Sequence, residues 1–321
     1  MVTNVLQFVG GLVLLLIGGR LLVAASVDTA RRLNVPPLIV GLTLVAWGTS
    51  APELALNLIS AYKGRGDLAI GNVVGANIAN MAMVLGACAL IKPLVVKERL
   101  IRVEIWLNMA ILGFLALVGL ALGLERWKSG LLLGVFGGYS MWTVMAALNQ
   151  SNRSVPEPTV GDDPTMGKAP MSWWLIAAAF SGGLVLLSIG GSLASDAAMA
   201  IALGLGVPAA VVGVTIVSIG TTLPELFTGI LAVRKGQTDL AMGNAIGSCL
   251  FNAGAIFGLT GIIAPTEIEG TLAVPLAYMG MLAIALVPIS RTNKRTVSRV
   301  EGGGLLLSYA AFLAICAIQA K

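Results

Sequence analysis

Apolar runs of about 20 residues, separated by short polar connectors, recur along the whole chain. A helix of that length rises about 30 Å, the thickness of a hydrocarbon layer. The pattern predicts ten spans, at 5–27, 37–62, 68–91, 102–123, 129–149, 172–195, 209–233, 239–264, 272–290 and 302–319. Segments of about 10 residues alternating in polarity, the mark of an outer-membrane barrel, are absent. The expected fold class is an all-α integral membrane protein.

The pattern also repeats on a larger scale. Laid without a gap over 208–258, residues 36–86 give about 20 identities in roughly 50 positions. "GTSAPEL" (48–54) meets "GTTLPEL" (220–226), and "KGRGDLAIGNVVG" (63–75) meets "KGQTDLAMGNAIG" (235–247). The offset is a constant 172 residues (225 − 53) and reaches back to Gly18-Gly19 and Gly190-Gly191. Five spans separate equivalent points, an odd number, so the second copy enters the membrane inverted. Two inverted five-helix repeats are the organisation of secondary transporters, which hold cargo near the midplane between the copies. The expected halves are 1–148, with one repeat at 36–86, and 172–321, with the other at 208–258. The connector 149–171 is too short for a domain of about 50 residues. Its Asp162 and Asp163 read as solvated linker, since no further acids follow at calcium-loop spacing.

Composition agrees with the pattern. The chain is 57% hydrophobic and 11% charged, too few charged groups to cover a soluble protein of 321 residues. Alternate connectors carry Arg31 and Arg32; Lys92, Lys97, Arg99 and Arg102; Arg153 and Lys168; Arg234 and Lys235; and Arg291, Lys294, Arg295 and Arg299. The opposite set holds only Lys63, Arg65, Arg126, Lys128 and Lys321. By the positive-inside rule the linker is cytoplasmic and both termini face outward across a prokaryotic inner membrane. This topology accounts for the net charge of +5 without a nucleic-acid partner. The N-terminal stretch lacks a basic start and a cleavage site, and is expected to stay as the first span. Trp106, Trp127, Trp173 and Trp174 near span ends fit an aromatic belt. There is no histidine, and Cys88, Cys249 and Cys316 are scattered through apolar segments. Imidazole sites, Ser-His triads, disulfides and thiolate metal sites are therefore not expected.

Most acids fall at span ends or in connectors. Glu53 and Glu225 do not, and no Lys or Arg lies near them in sequence. A lone ionised carboxylate at membrane depth is costly, so each needs a cation. An inverted repeat would bring the two together, leaving a divalent cation or several monovalent ones as the counter-charge. Pro52 and Pro224 break their helices, expected around Gly48 and Gly220, and free carbonyls near 46–48 and 218–220. Thr49 and Thr221 sit four residues before the glutamates, on the same face. Carboxylate, hydroxyl and carbonyl oxygens are the hard set that suits calcium, and sodium equally. In the next span Asn72, Ala76 and Asn80, like Asn244, Ser248 and Asn252, form a stripe spaced by four. Gly71 and Gly75, with Gly243 and Gly247, let these helices pack closely on the motif helices. Asp67 and Asp239 read as helix N-caps, Asp196 as the end of its span, and Trp47 as packing.

At these residues the chain resembles the sodium/calcium exchangers of the cation/calcium exchanger superfamily, in their small prokaryotic form. The motifs "GTSAPEL…GNVVGANIAN" and "GTTLPEL…GNAIGSCLFN" carry the likeness, which extends over the whole chain. The resemblance implies a calcium site at Thr49, Glu53, Thr221 and Glu225. It implies sodium sites drawing on Ala46, Ser50, Glu53, Ser218, Thr222, Glu225 and Ser248, with Asn80 and Asn252 at the midplane. It further implies that the first helix of each half slides over a fixed core. Ala76, Cys249 and Asn252 depart from the usual serine, asparagine and frequent aspartate. The function expected is sodium-for-calcium antiport by alternating access; the alternative is a proton-coupled calcium or other cation exchanger of the same fold. No enzymatic activity, cofactor or obligate protein partner is expected; the partners are calcium, sodium and the lipid bilayer.

Overall fold

A computed structural model describes residues 2–64, 66–118, 125–151, 169–205, 218–265 and 272–319. The first half comprises α1 (Val2–Leu33), α2 (Pro37–Thr49), α3 (Ala51–Tyr62), α4 (66–91), α5 (Leu100–Leu117) and α6 (Arg126–Ser151). The second comprises α7 (Trp173–Gly204), α8 (Ser218–Thr221), α9 (Leu223–Arg234), α10 (Thr238–Ile263), α11 (Ala273–Ile289) and α12 (Arg299–Gln319). Seven of these helices are long and apolar enough to cross a membrane, and α2 with α3 makes an eighth, bent by 45°. The apolar α11, at 17 residues, is shorter than the expected span. The part of the expected span 209–233 that precedes α8, residues 209–217, lies outside the described residues.

The longest helices outrun the apolar runs that announced them. α1 and α7 are 32 residues each. α1 continues through Asp28, Arg31 and Arg32, where Asp28 pairs with Arg31 at 3.6 Å. Asp196 does not end its span, because the helix runs on through Ala-rich sequence to Gly204. The two lie antiparallel: Gly11 meets Gly190 and Ala194, while Gly18 meets Gly183 and Leu187. A Cβ at Gly18 would fall 2.8 Å from the Gly183 carbonyl oxygen, so the backbones touch. Inside this pair, α4 and α10 form the centre, with 78% of their apolar windows buried against 28% for α6, α7 and α12.

Five connectors gather at one end of the bundle. The strand β1 (Leu94–Val95) after α4 pairs antiparallel with β2 (Thr296–Val297) before α12. Lys97 pairs with Asp239 at 3.5 Å, joining the start of α10 to them. Leu38, at the start of α2, lies against Gly243 of α10. Arg32 donates from Nε to the Met171 carbonyl and, at 3.1 Å, from Nη2 to that of Pro170. These are the connectors rich in Lys and Arg; those at 62–66 and 125–128 lie at the opposite end. Asp239 is not the N-cap expected of it. Gln237 occupies the cap position, and Asp239 sits in the first helical turn, where both the helix dipole and Lys97 favour it.

Replacing Gly18 by Val forces side-chain atoms into the α7 backbone and is expected to destabilise by about 1–3 kcal/mol. Thermal unfolding in detergent should report a lower midpoint for Gly18→Val. Gly10→Ala, where nothing lies within 4 Å, should leave it unchanged.

Candidate functional site

Each motif helix breaks just before its proline. Pro52 stands in the first turn of α3 and Pro224 in that of α9, where the missing N–H removes no hydrogen bond within the new helix. Ser50 (φ −88°, ψ 6°) and Thr222 (φ −92°, ψ 1°) mark the breaks, two residues beyond the expected Gly48 and Gly220. Proline opposes the carbonyl four residues back yet is accepted at a helix start, so the chain restarts its helix immediately ahead of it. The Gly48 carbonyl, which Pro52 cannot bond, accepts a backbone N–H at the cap instead. Ala46 is engaged, its oxygen accepting the Ser50 N–H at 3.1 Å. In the second motif the Thr222 N–H bonds Ile219 O, also at 3.1 Å.

Both glutamates occupy the first turn of the restarted helix. The positive end of the helix dipole there favours a carboxylate, but by less than burial opposes it. Glu53 is 2% exposed and Glu225 0%. The Ser50 hydroxyl, on the first motif, donates to Oε1 of Glu225, on the second, at 2.9 Å. That bond ties the turn that carries Glu53 to the carboxylate of Glu225. Among the described residues no Lys or Arg forms an ion pair with either, and Oε2 of each has no hydrogen-bond partner. Glu104, equally buried, shows the usual remedy: Arg99 Nε lies 3.0 Å from its Oε1, and the Tyr139 hydroxyl donates to it at 3.2 Å.

Neutral polar atoms surround the acid pair. The Thr49 hydroxyl has one proton and sits 3.1 Å from Val45 O and 3.3 Å from Oδ1 of Asn244. Both side-chain polar atoms of Asn80 and of Asn252 lack partners, as do Ser248 Oγ and the amide nitrogens of Asn72 and Asn244. Asn80 and Asn252 fall in wide π-helical turns, 79–84 and 252–256, a distortion frequent at functional positions. Ala46 and Thr222 are buried, whereas Thr221 is half-buried at the edge. The side chain of Ser218 lies outside the described residues. Gly243 and Gly247 do pack closely on a motif helix, and it is α2 of the other half. Cβ atoms there would fall 2.5 Å from Leu38 O and 2.6 Å from Leu42 O. Trp47 packs against Phe136 and Phe251.

Sequence reasoning missed Asn57. Its Nδ2 donates to the Glu53 carbonyl at 2.7 Å, and its Oδ1 is buried without a partner. Spacing of four from Glu53 within an apolar run was the available signal. It also missed the contact of Cys249 Sγ with Asn77 O at 3.8 Å between the two central helices. Among the described residues no three Cys, Asp or Glu converge, so neutral oxygens must complete any cation shell around the pair. Hydroxyls and amide oxygens provide hard ligands for it.

The family model described as sodium/calcium exchanger protein matches residues 3–145 and 175–318. The putative antiporter CaxA of Alkalimonas amylolytica is 35% identical over 307 residues, covering 94% of this chain and 95% of that protein. The sodium/calcium exchanger MaX1 of Methanosarcina acetivorans is 29% identical over 345 residues, 97% of this chain and 98% of its own. The solved structure of the sodium-calcium exchanger NCX_Mj soaked with 2.5 mM Na+ and 10 mM Sr2+ superimposes with a TM-score of 0.82. It is 27% identical and covers 98% of each chain.

The two kinds of buried acid respond oppositely to neutralisation. In ion-free detergent at pH 9, Glu53→Gln relieves repulsion and is expected to raise the unfolding midpoint. Glu104→Gln strands Arg99 and is expected to lower it, by about 3 kcal/mol or more in stability.

Proposed function

Because the chain belongs to the sodium/calcium exchanger protein family, we propose that it is a secondary active antiporter moving calcium against sodium by alternating access. The observation that carries this is the uncompensated pair, Glu53 and Glu225, drawn from different halves and held together through Ser50. Two negative charges in a poor dielectric keep the empty site from crossing between its two open states. Calcium, or a set of sodium ions, neutralises them and releases the crossing. Both cargoes need the same oxygens, so they compete, and competition at one alternating site is exchange.

In this reading Thr49, Glu53, Thr221 and Glu225 hold calcium. Ala46, Ser50, Ser218, Thr222 and Ser248 join the glutamates around sodium. Asn72, Asn80, Asn244 and Asn252 line the midplane. The halves 1–148 and 172–321 are inverted copies joined by the linker 149–171. Reciprocal contacts support that inversion: with the offset of 172 residues, Gly11 corresponds to Gly183 and Gly18 to Gly190, and each glycine meets the other's counterpart. Cys249 likewise meets its own counterpart, Asn77 (249 − 172 = 77), as two points on a two-fold axis do. The sliding element is the α1–α7 pair. α7 lies over both motifs, with Leu184 against Gly48 and Ser195 against Gly220. The basic end is cytoplasmic and both termini are outside, in a prokaryotic inner membrane.

Calcium flux into proteoliposomes tests the reading. An outward sodium gradient is expected to drive uptake by the parent, while a pH gradient alone is not. Glu53→Gln is expected to lose at least about tenfold, the loss that 1.4 kcal/mol of ion binding represents. Uptake that ignores sodium and follows the pH gradient would instead identify proton-coupled exchange on the same fold.

A further inference from the structure

The two halves differ where each motif helix leaves the site. Below Glu53, α3 carries Asn57 and Ser60 on the same face, both buried, and runs to the opposite end of the bundle. At the equivalent positions of α9, which runs to the basic end, stand Gly229 and Ala232 (57 + 172 and 60 + 172). A Cβ at Gly229 would lie 2.9 Å from Cys88 Sγ and 3.4 Å from Val84, so that side is closed by tight packing. The counterpart of Cys88 is Thr260 (88 + 172), on the segment of α10 that packs against α3. Thr228 of α9, at the position of the exposed Leu56, is buried and its hydroxyl has no partner among the described residues, so the basic side keeps one hydroxyl there but no amide.

Where the second half has Gly229 filled by the Cys88 thiol, the equivalent positions of the first half are Asn57 and Thr260, on segments that pack together. Both are buried, at 0% and 1% exposure, and Asn57 Oδ1 and Thr260 Oγ1 have no partner. With its amide nitrogen committed to the Glu53 carbonyl, Asn57 presents a carbonyl-type oxygen, which together with a hydroxyl makes a hard pair. Buried polar atoms are seldom left unsatisfied without a water, an ion or a function to account for them.

We infer that Asn57, Thr260 and Ser60 form an amide-bearing polar step for partly hydrated cations between the acid pair and the opposite end, without an amide counterpart on the basic side. Cations approaching from the opposite end shed water against Asn57 and Thr260 before reaching Glu53. From the basic end they meet the Thr228 hydroxyl but no amide oxygen. The inference rests on the exchanger reading for its cargo and on the asymmetry of the halves for its geometry.

Two readouts in vesicles of known orientation test it. The first is sided calcium kinetics. Asn57→Ala is expected to raise KM at the opposite end about three- to tenfold, the worth of one hydrogen-bond-strength contact, and to leave KM at the basic end unchanged. Asn57→Asp is expected to lower KM at the opposite end, which a merely structural asparagine would not do. The second is access. Thr260→Cys is expected to react with a positively charged, membrane-impermeant methanethiosulfonate from the opposite end, more slowly with calcium present. The parent, whose Cys88 is the counterpart, is not expected to react from the basic end. Equal KM changes at both ends, or a Thr260→Cys thiol inert from the opposite end, overturn the inference. If the parent moves no calcium, the exchanger reading fails, and thiol access still decides whether the step exists.

Discussion

Two buried carboxylates without a counter-charge are the constraint on which the proposed reading turns. Glu53 and Glu225 come from segments 172 residues apart, neither is more than 2% exposed, and among the described residues no basic side chain pairs with them. In hydrocarbon such a pair persists only if something else supplies positive charge or removes negative charge. Helix N-termini and the Ser50 hydroxyl reduce the cost without cancelling it. In the proposed reading, what remains unbalanced is the capacity to hold a cation.

Much of the local structure follows from accommodating that imbalance. The proline after each break lets a new helix begin at membrane depth, with its positive end at the glutamate. The preceding helix ends there, and irregular backbone of this kind survives in a membrane only where protein or a cavity surrounds it. Close packing of α2 on Gly243 and Gly247 provides that enclosure. Glu104 is the useful contrast. Equally buried, it is neutralised by Arg99 and bonded by Tyr139, and so it fastens α5 to α6. What sets Glu53 and Glu225 apart, among the described residues, is the lack of a counter-charge.

The two acids stand at equivalent positions of the sequence repeat, and in the proposed reading departures from symmetry give the pathway a direction. The Gly-Thr and Pro-Glu-Leu of the motifs match between halves, whereas beyond them Asn57 and Ser60 have Gly229 and Ala232 as counterparts. A molecule built from two nearly equal halves can therefore present unlike routes at its two ends.

Much was legible in the amino-acid order alone. Apolar run lengths determined a helical membrane fold, the 172-residue offset exposed the duplication, and the glutamates stood out as charges without neighbours. These are local or periodic properties, carried by composition and spacing. Contacts between distant segments were not legible. The Ser50–Glu225 bond, the face of Asn57 and the remedy for Glu104 depend on which helices meet, and the one-dimensional pattern does not encode that. The breaks at Ser50 and Thr222, two residues beyond the expected positions, show the same limit at short range. Sequence determined that proline would interrupt each helix. Only the folded backbone, balancing its clash against its fitness to start a helix, decided where.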